Sequence, residues 1–212
     1  MTAETQMPDA PLVAVLAAGL ASRFGGGKLD ACCAGRRLGA WALMRVAGAG
    51  LPSGIIVTGP QPPAFALEAP GWSVVANPAH AKGIGTSLAL AAAEALRRGA
   101  PALLVLLADM PLIDAALLRR LAQARRPTAM RYPGGRPGVP ALLPAPLLAP
   151  LRQLTGDRGA AALLQAALGL DLVEPPAGML LDVDSAADLA RAEALLKDNC
   201  GQAGLTNRVE RP

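Results

Sequence analysis

The sequence predicts a three-layer α/β/α fold, doubly wound around a mostly parallel sheet. Three observations carry this. Short apolar runs recur without the polar alternation of a half-exposed strand, helix-length segments separate them, and the first run feeds a glycine-rich loop. A sheet covered by helices on both faces needs strands that are apolar throughout, because neither side of such a strand meets water.

Residues 12–16 form the first run and lead into Ala17-Ala18-Gly19, a buried strand entering a turn. Further runs bounded by Gly, Pro or Asn occupy residues 54–58, 72–76, 102–107, 140–143 and 180–183. Helical spacing fills residues 38–49, 86–98, 114–125, 159–167 and 185–196, with Asp114 placed as an N-cap. Residues 132–150 are dense in Gly and Pro and break the alternation. They read as a linker or, since elements lie on both sides, as an insertion bordering the active cleft. Residues 1–11 and 198–212 lack periodicity and are expected to be poorly ordered, flanking one transferase-sized domain at residues 12–197.

A chain of 212 residues is long enough for one substantial core, and with hydrophobic residues at 52% but aromatics at 2% that core must be aliphatic. The balance of 20 Lys+Arg against 16 Asp+Glu leaves +4, and no basic run with interleaved aromatics is present, which argues against nucleic acid as a partner. The excess of base suits a small anionic ligand, although a solvated mixed-charge surface gives the same number. Cys32 and Cys33 are adjacent and Cys200 lies in the polar tail, so neither a disulfide framework nor metal-ligand spacing is present; a reducing cytoplasm is expected. No apolar run is long enough to span a bilayer, and the first residues lack the basic-then-apolar pattern of an export signal, so no membrane is expected.

The chemistry concentrates in four segments. Leu16-Ala-Ala-Gly-Leu-Ala-Ser-Arg-Phe-Gly-Gly-Gly-Lys28 leaves the carboxyl end of the first strand, where open α/β sheets bind ligands. Its glycines let backbone N–H groups approach phosphate oxygens, and Arg23 and Lys28 add positive charge that also favours the pentavalent transition state and departing pyrophosphate. A Walker A loop is excluded, because Ser22 and Leu29 stand where Gly and Ser or Thr are required; the dinucleotide fingerprint is absent too. A flexible turn with incidental basic residues is the bland alternative.

The second segment, Leu103-Leu-Val-Leu-Leu-Ala-Asp-Met-Pro111, places Asp109 at the end of a central strand, where a carboxylate facing a triphosphate loop can hold Mg²⁺ together with phosphate oxygens and waters. Its alternative role, a helix cap, is already filled by Asp114. In the third, Leu180-Leu-Asp-Val-Asp-Ser-Ala-Ala-Asp-Leu189, Asp182 and Asp184 share one side if the chain is extended, so one can join the metal; capping of the following helix by Asp184 or Ser185 is an equal reading. The fourth runs from Asn77 through Gly83, Gly85, Thr86 and Ser87 into a helix whose start offers polar groups to a base or ribose. His80, the only histidine, has no nucleophile partner and is assigned no chemistry.

Taken in order, LAAGLASRFGGGK, NPAHAKGIGTSL, LADMPLI, GRPGVPALL, LTGDRGAAALL and DVDSAADL resemble the motifs of the molybdenum-cofactor nucleotidyltransferase family, over nearly the whole of residues 12–196. The resemblance implies a nucleotide-diphospho-sugar transferase-like fold and transfer of a nucleoside monophosphate to molybdopterin. It implies that Gly19, Arg23 and Lys28 contact the NTP phosphates, that the backbone of Leu16, Ala17, Ala18 and Gly19 and the segment with Asn77, Gly83, Gly85, Thr86 and Ser87 contact base and ribose, and that Asp109 binds Mg²⁺ with help from Asp184. LAAG followed by KL is similar to the cytidylyl-transferring members, which implies CTP, and the family's products go to a molybdoenzyme or its chaperone. The chain departs from the family's pattern at Ala21, Phe24, Val139 and His80, mainly on the acceptor side.

Overall fold

The computed structural model describes residues 10–19, 24, 26–157 and 159–206. The chain runs through β1 (Leu12–Ala17), a small hairpin of β2 (Cys32–Cys33) and β3 (Arg36–Arg37), α1 (Ala40–Gly48), β4 (Ile55–Thr58), one turn of helix α2 (Ala64–Leu67) and β5 (Ser73–Ala76). It continues with α3 (Ile84–Arg97), β6 (Ala102–Leu107), α4 (Ala115–Ala122), β7 (Thr128–Tyr132), β8 (Arg136–Pro144), α5 (Ala145–Leu151), α6 (Ala161–Ala166), β9 (Asp171–Val173) and α7 (Ala186–Thr206). Seven strands form one sheet in the order β5-β4-β1-β6-β8-β7-β9. β5, β4, β1 and β6 are parallel. β8 alone runs against its neighbours, and β7 and β9 again pair in parallel.

The apolar runs are buried on both faces for the reason the pattern suggests. In β1, Val13, Val15 and Ala17 pack into a cluster with Val46 of α1 and Leu118 of α4, whereas Leu12, Ala14 and Leu16 pack with Ala91 of α3, Leu148 of α5 and Leu164 of α6. The predicted three layers are therefore present. A third cluster seats Val183 and Leu196 on Cys33, Leu38 and Trp41, and the Trp41 indole Nε1 donates to the Cys33 carbonyl at 2.9 Å, pinning the hairpin to α1. The exit of β1 runs through α1 to β4 on one side, and that of β6 runs through α4 to β7 on the other, which makes the carboxyl ends of β1 and β6 the switch point where ligands bind in such sheets.

Four expectations need correction. Residues 180–183 form no strand: a turn closes at Leu180, and Val183 N–H makes a single bond to the Asp109 carbonyl (3.1 Å) rather than a ladder. Residues 132–150 are neither linker nor insertion, since they supply the end of β7, the whole of β8 and most of α5. Pairing of β7 with β8 jumps from Ala129↔Ala141 to Met130↔Gly138, so Val139 and Pro140 occupy a bulge, where a residue without an N–H is tolerated. β7 and β9 went unpredicted. α7 continues to Thr206, past residue 197 where the sequence loses its periodicity. The first nine residues and the last six lie outside the described ones. Among the described residues no helix is long and apolar enough to cross a membrane.

Candidate active site

Lys28 closes the glycine loop at the start of a short 3-10 turn, preceded by Gly27 in the left-handed region (φ 63°). A side chain there would strain the bend that brings the lysine back over the sheet. The next turn is anchored by Asp30, whose carboxylate accepts from the N–H groups of Ala64 and Phe65 at 2.8 Å each. Lys28 is consequently 7% exposed although it is charged. Its Nζ donates to Asp109 Oδ2 at 2.7 Å and to Asp184 Oδ1 at 3.1 Å. Burial alone would lower the lysine's pKa, but the Asp109 charge and the hydrogen bonds that Lys28 donates to both acids outweigh it and hold the group above its ordinary value.

Asp109 lies two residues beyond β6. Asp184 and Asp182 come from the irregular segment before α7, held by the Val183–Asp109 backbone bond. Carboxylate oxygens of Asp109, Asp182 and Asp184 lie within 4.8 Å of one another. Period-two spacing thus does bring both later acids to one side, without a strand. Helix capping does not compete for Asp184, because Ser185 and Asp188 form their own reciprocal cap: Ser185 N–H donates to Asp188 Oδ2 at 2.9 Å and Asp188 N–H to Ser185 Oγ at 3.2 Å. Asp182 was weighed in the sequence only as a partner of Asp184, yet it belongs to the cluster. Desolvation, then the charges of Asp109 and Asp184, push it up to about 7, although its outer side remains open to solvent. The donor set is all oxygen and holds three acids against one lysine, which is what a hard divalent cation fits.

Two cavities flank this cluster. One of about 490 Å³ lies under the glycine loop, between Ala18, Gly26, Lys28 and the Gly59–Pro60 turn. The other, about 320 Å³, is bounded by Leu16, Gly19, Gly83, Ser87, Asp109 and Asp182. Ala17, Ala18, Gly19, Lys28, Gly83, Ser87 and Asp109 line these cavities, and Leu16 does so while its carbonyl also accepts from Ala108 N–H. Arg23 lies outside the described residues.

The start of α3 is tied together by its own hydrogen bonds. Asn77 is buried, its Nδ2 donating to Thr86 and Ser87 hydroxyls at 2.9 Å and its Oδ1 accepting from Ala79 N–H. Thr86 Oγ1 donates back to the Gly83 carbonyl, and Gly85 N–H donates to the Gly156 carbonyl at 2.9 Å. Asn77, Thr86 and Gly85 therefore brace the helix start from within. Ser87 donates to no described residue, so its hydroxyl hydrogen is available to the cavity. Gly83 (φ 106°) is required, because a Cβ would run into Gly156 and the Asp157 carboxylate. His80, assigned no chemistry, borders both cavities, with Nδ1 3.4 Å from the Ala18 carbonyl. Asp157 lines the second cavity; its place in LTGDRGAAALL was the available signal.

Residues 13–172 match the family described as MobA-like NTP transferase domain. The chain belongs to that family. It is a nucleotidyltransferase enzyme, and the fold is that of nucleotidyltransferases. Rv0371c from Mycobacterium tuberculosis H37Rv superposes with a TM-score of 0.74 at 26% identity, covering 87% of this chain and 97% of that one. The same protein has also been solved with manganese, at 25% identity and a TM-score of 0.72 over 87% and 98% of the two chains. A nucleotidyl transferase from Methanothermobacter thermautotroptrophicus (Mth528) matches at 23% identity with a TM-score of 0.72, over 91% of this chain and 100% of its own. Molybdopterin-guanine dinucleotide biosynthesis protein A from Archaeoglobus fulgidus shares the fold at 19% identity, with a TM-score of 0.63 over 88% and 97%. No curated protein matches the sequence.

Proposed function

We propose that this nucleotidyltransferase moves CMP from CTP to molybdopterin, with Mg²⁺ bound by Asp109, Asp184 and Asp182. The observation that carries the reading is the meeting of Lys28 with Asp109 and Asp184 at the β1/β6 switch point, between two cavities. That Rv0371c was solved in complex with manganese supports the use of a divalent ion. When bound, the ion would neutralise phosphate charge that builds in the transition state.

This chain's own residues then position and balance charge. The glycine loop and Lys28 hold the triphosphate, with Arg23 assigned to the same task. An oxygen of the acceptor's phosphate attacks the α-phosphorus, the bond from that phosphorus to the oxygen bridging to the β-phosphate breaks in line, and pyrophosphate leaves with the electron pair. A phosphate is already anionic at neutral pH, so no general base is needed. CTP is favoured over GTP because Ala18 stands where guanylyl-transferring members carry a second glycine and no acid precedes Lys28.

The body of the acceptor is assigned to a third cavity, of about 540 Å³, between 131–135 and 174–181. It opens on the same sheet edge, at the carboxyl ends of β7 and β9, and Leu181 joins its wall to Asp182. Arg131, paired with Glu174 at 3.2 Å, and Arg191 supply polar contacts. Free thiols at Cys32 and Cys33 agree with a reducing cytoplasm. Transfer of the product to a molybdoenzyme or its chaperone follows from the same reading.

Pyrophosphate release from CTP and from GTP, each with molybdopterin and Mg²⁺, tests the function. Release with CTP and molybdopterin only is expected. Preference for GTP removes the donor assignment, and release only with another phosphorylated acceptor removes molybdopterin. Nucleotide binding without product makes the domain a binding module.

A further inference from the structure

Lys28 has two claims on it. As the loop's cation it belongs with the donor phosphates, yet its Nζ sits 2.7 Å from Asp109 and 3.1 Å from Asp184, two of the three acids grouped within 4.8 Å for a cation. The two claims compete, because an ammonium seated between two carboxylates puts positive charge where an ion would sit and both cations draw on the same acids. Asp109 is only partly exposed and Lys28 almost fully enclosed, so water screens this contact less than a surface pair.

We propose that Lys28 is an internal stand-in for the metal: it occupies the carboxylate pair in the empty enzyme and is exchanged for the divalent ion when nucleotide phosphate draws it away. This rests on the nucleotidyltransferase reading above and adds a binding order to it. The free ion is held off by a tethered competitor, while nucleotide and ion enter together. Nucleotide therefore tightens metal, and by thermodynamic reciprocity metal tightens nucleotide to the same degree. Gly26 and Gly27, both at positive φ, directly precede the lysine, so the bend that carries it is one glycine adopts without strain. The consequence has a sign that phosphate binding alone would not give: removing a group needed for donor binding should improve binding of the metal by itself.

The test is Mn²⁺ binding followed by electron paramagnetic resonance of the free ion, with and without CTP and with no acceptor present. Wild-type protein is compared with Lys28→Met, which keeps the stem length, and Lys28→Gln; circular dichroism checks that each folds. Lys82→Met removes the same charge from an exposed site and serves as the control for simple field effects. Wild type is expected to bind Mn²⁺ alone weakly and about tenfold more tightly with CTP. Both Lys28 variants should bind Mn²⁺ alone about tenfold more tightly than wild type and lose the enhancement by CTP, with Lys82→Met unchanged. If a folded Lys28 variant gains nothing for Mn²⁺ alone, or keeps the full CTP enhancement, the exchange is overturned while the transferase stands. An equal gain in Lys82→Met overturns it as well. Absence of Mn²⁺ binding by every protein overturns both the exchange and the metal assignment.

Discussion

The cavity under the glycine loop and the cavity beside β7 and β9 lie on one edge of the same sheet but are built differently. The first is walled largely by the backbone and small or apolar residues of the glycine loop and the Gly59–Pro60 turn, with Lys28 and Asp30 as its charged residues. The second presents Arg131 from the end of β7, Glu174, and Arg191 from α7 around turns rich in proline and glycine. Backbone N–H groups recognise what all nucleotides share, a chain of phosphates, and their geometry follows from the fold. Charged side chains recognise what is particular to one ligand and can change without altering the sheet. Between them stand the three acids, which each half needs for the reacting phosphate. The donor side should therefore break through the backbone and the acceptor side through side chains.

The largest effect is expected at the acids themselves. Asp109→Ala should lower kcat by roughly 10²–10³-fold, as loss of one preorganised electrostatic group does elsewhere, with far-ultraviolet circular dichroism unchanged. Turnover within a few fold of wild type would remove Asp109 from the metal site and dissolve the boundary between the two halves.

The donor side should next give way at Gly83. Its φ of 106° with ψ of 169° lies in a region that only glycine occupies freely, and a Cβ would meet Gly156 and Asp157. Gly83→Ala should cost about 1–3 kcal/mol in denaturant unfolding and raise KM for the nucleotide, leaving KM for the acceptor near its starting value. An equal rise in both KM values would mean that the two cavities share their support.

A pH titration sharpens the comparison where the halves meet. Desolvation and two neighbouring acids raise Asp182 from an ordinary 3.8 to about 7, so it carries a proton below that pH and must release it to bind an ion. Metal affinity should rise with pH, by up to tenfold per unit below about 7, and level off above it. In metal-free protein the raised acid costs stability progressively as pH climbs from about 4 to about 7, because the folded state holds the proton longer than the unfolded one. Calorimetric Mn²⁺ titrations between pH 5.5 and 8 read this directly. A flat profile would leave Asp182 outside the metal set.

The same division explains what the amino-acid sequence disclosed. β1 and β6 were readable because both faces of each are covered, which forces an unbroken apolar run, and Lys28 and Asp109 follow those runs directly. The cap at Asp114 is equally local: its Oδ1 accepts from Leu117 N–H at 2.6 Å. β9 has three residues, too few for any period to show, and β7 holds Arg131 and Tyr132 at its exposed end. β8 contains Pro137, Gly138 and Pro140, which signal a break unless the bulge that accommodates them is known. The bracing role of Asn77 and Gly85 was hidden for a related reason. Their type suits a ligand, but partners at Ala79, Thr86, Ser87 and Gly156 claim their hydrogen bonds, and the contact to Gly156 spans too much chain to be seen locally. Asp182 was half visible, since spacing joined it to Asp184 without revealing the turn that delivers both to Asp109.

The smallest expected effect tests the acceptor side. Arg191 projects from α7 at the rim of the 540 Å³ cavity and is exposed, so any contact it makes with an anionic or carbonyl group competes with water. Exposed charge pairs contribute about 0.2–1 kcal/mol, and Arg191→Ala should accordingly raise KM for the acceptor only about two- to fivefold. Nucleotide KM and Mn²⁺ affinity should stay where they were, because neither donor cavity is lined by this residue. The increase should shrink as salt is added, which a change in packing would not produce. A nucleotide KM that moves in step with the acceptor KM would show that the arginine acts on the whole site, and the acceptor would then have to be sought on the donor side of Asp109.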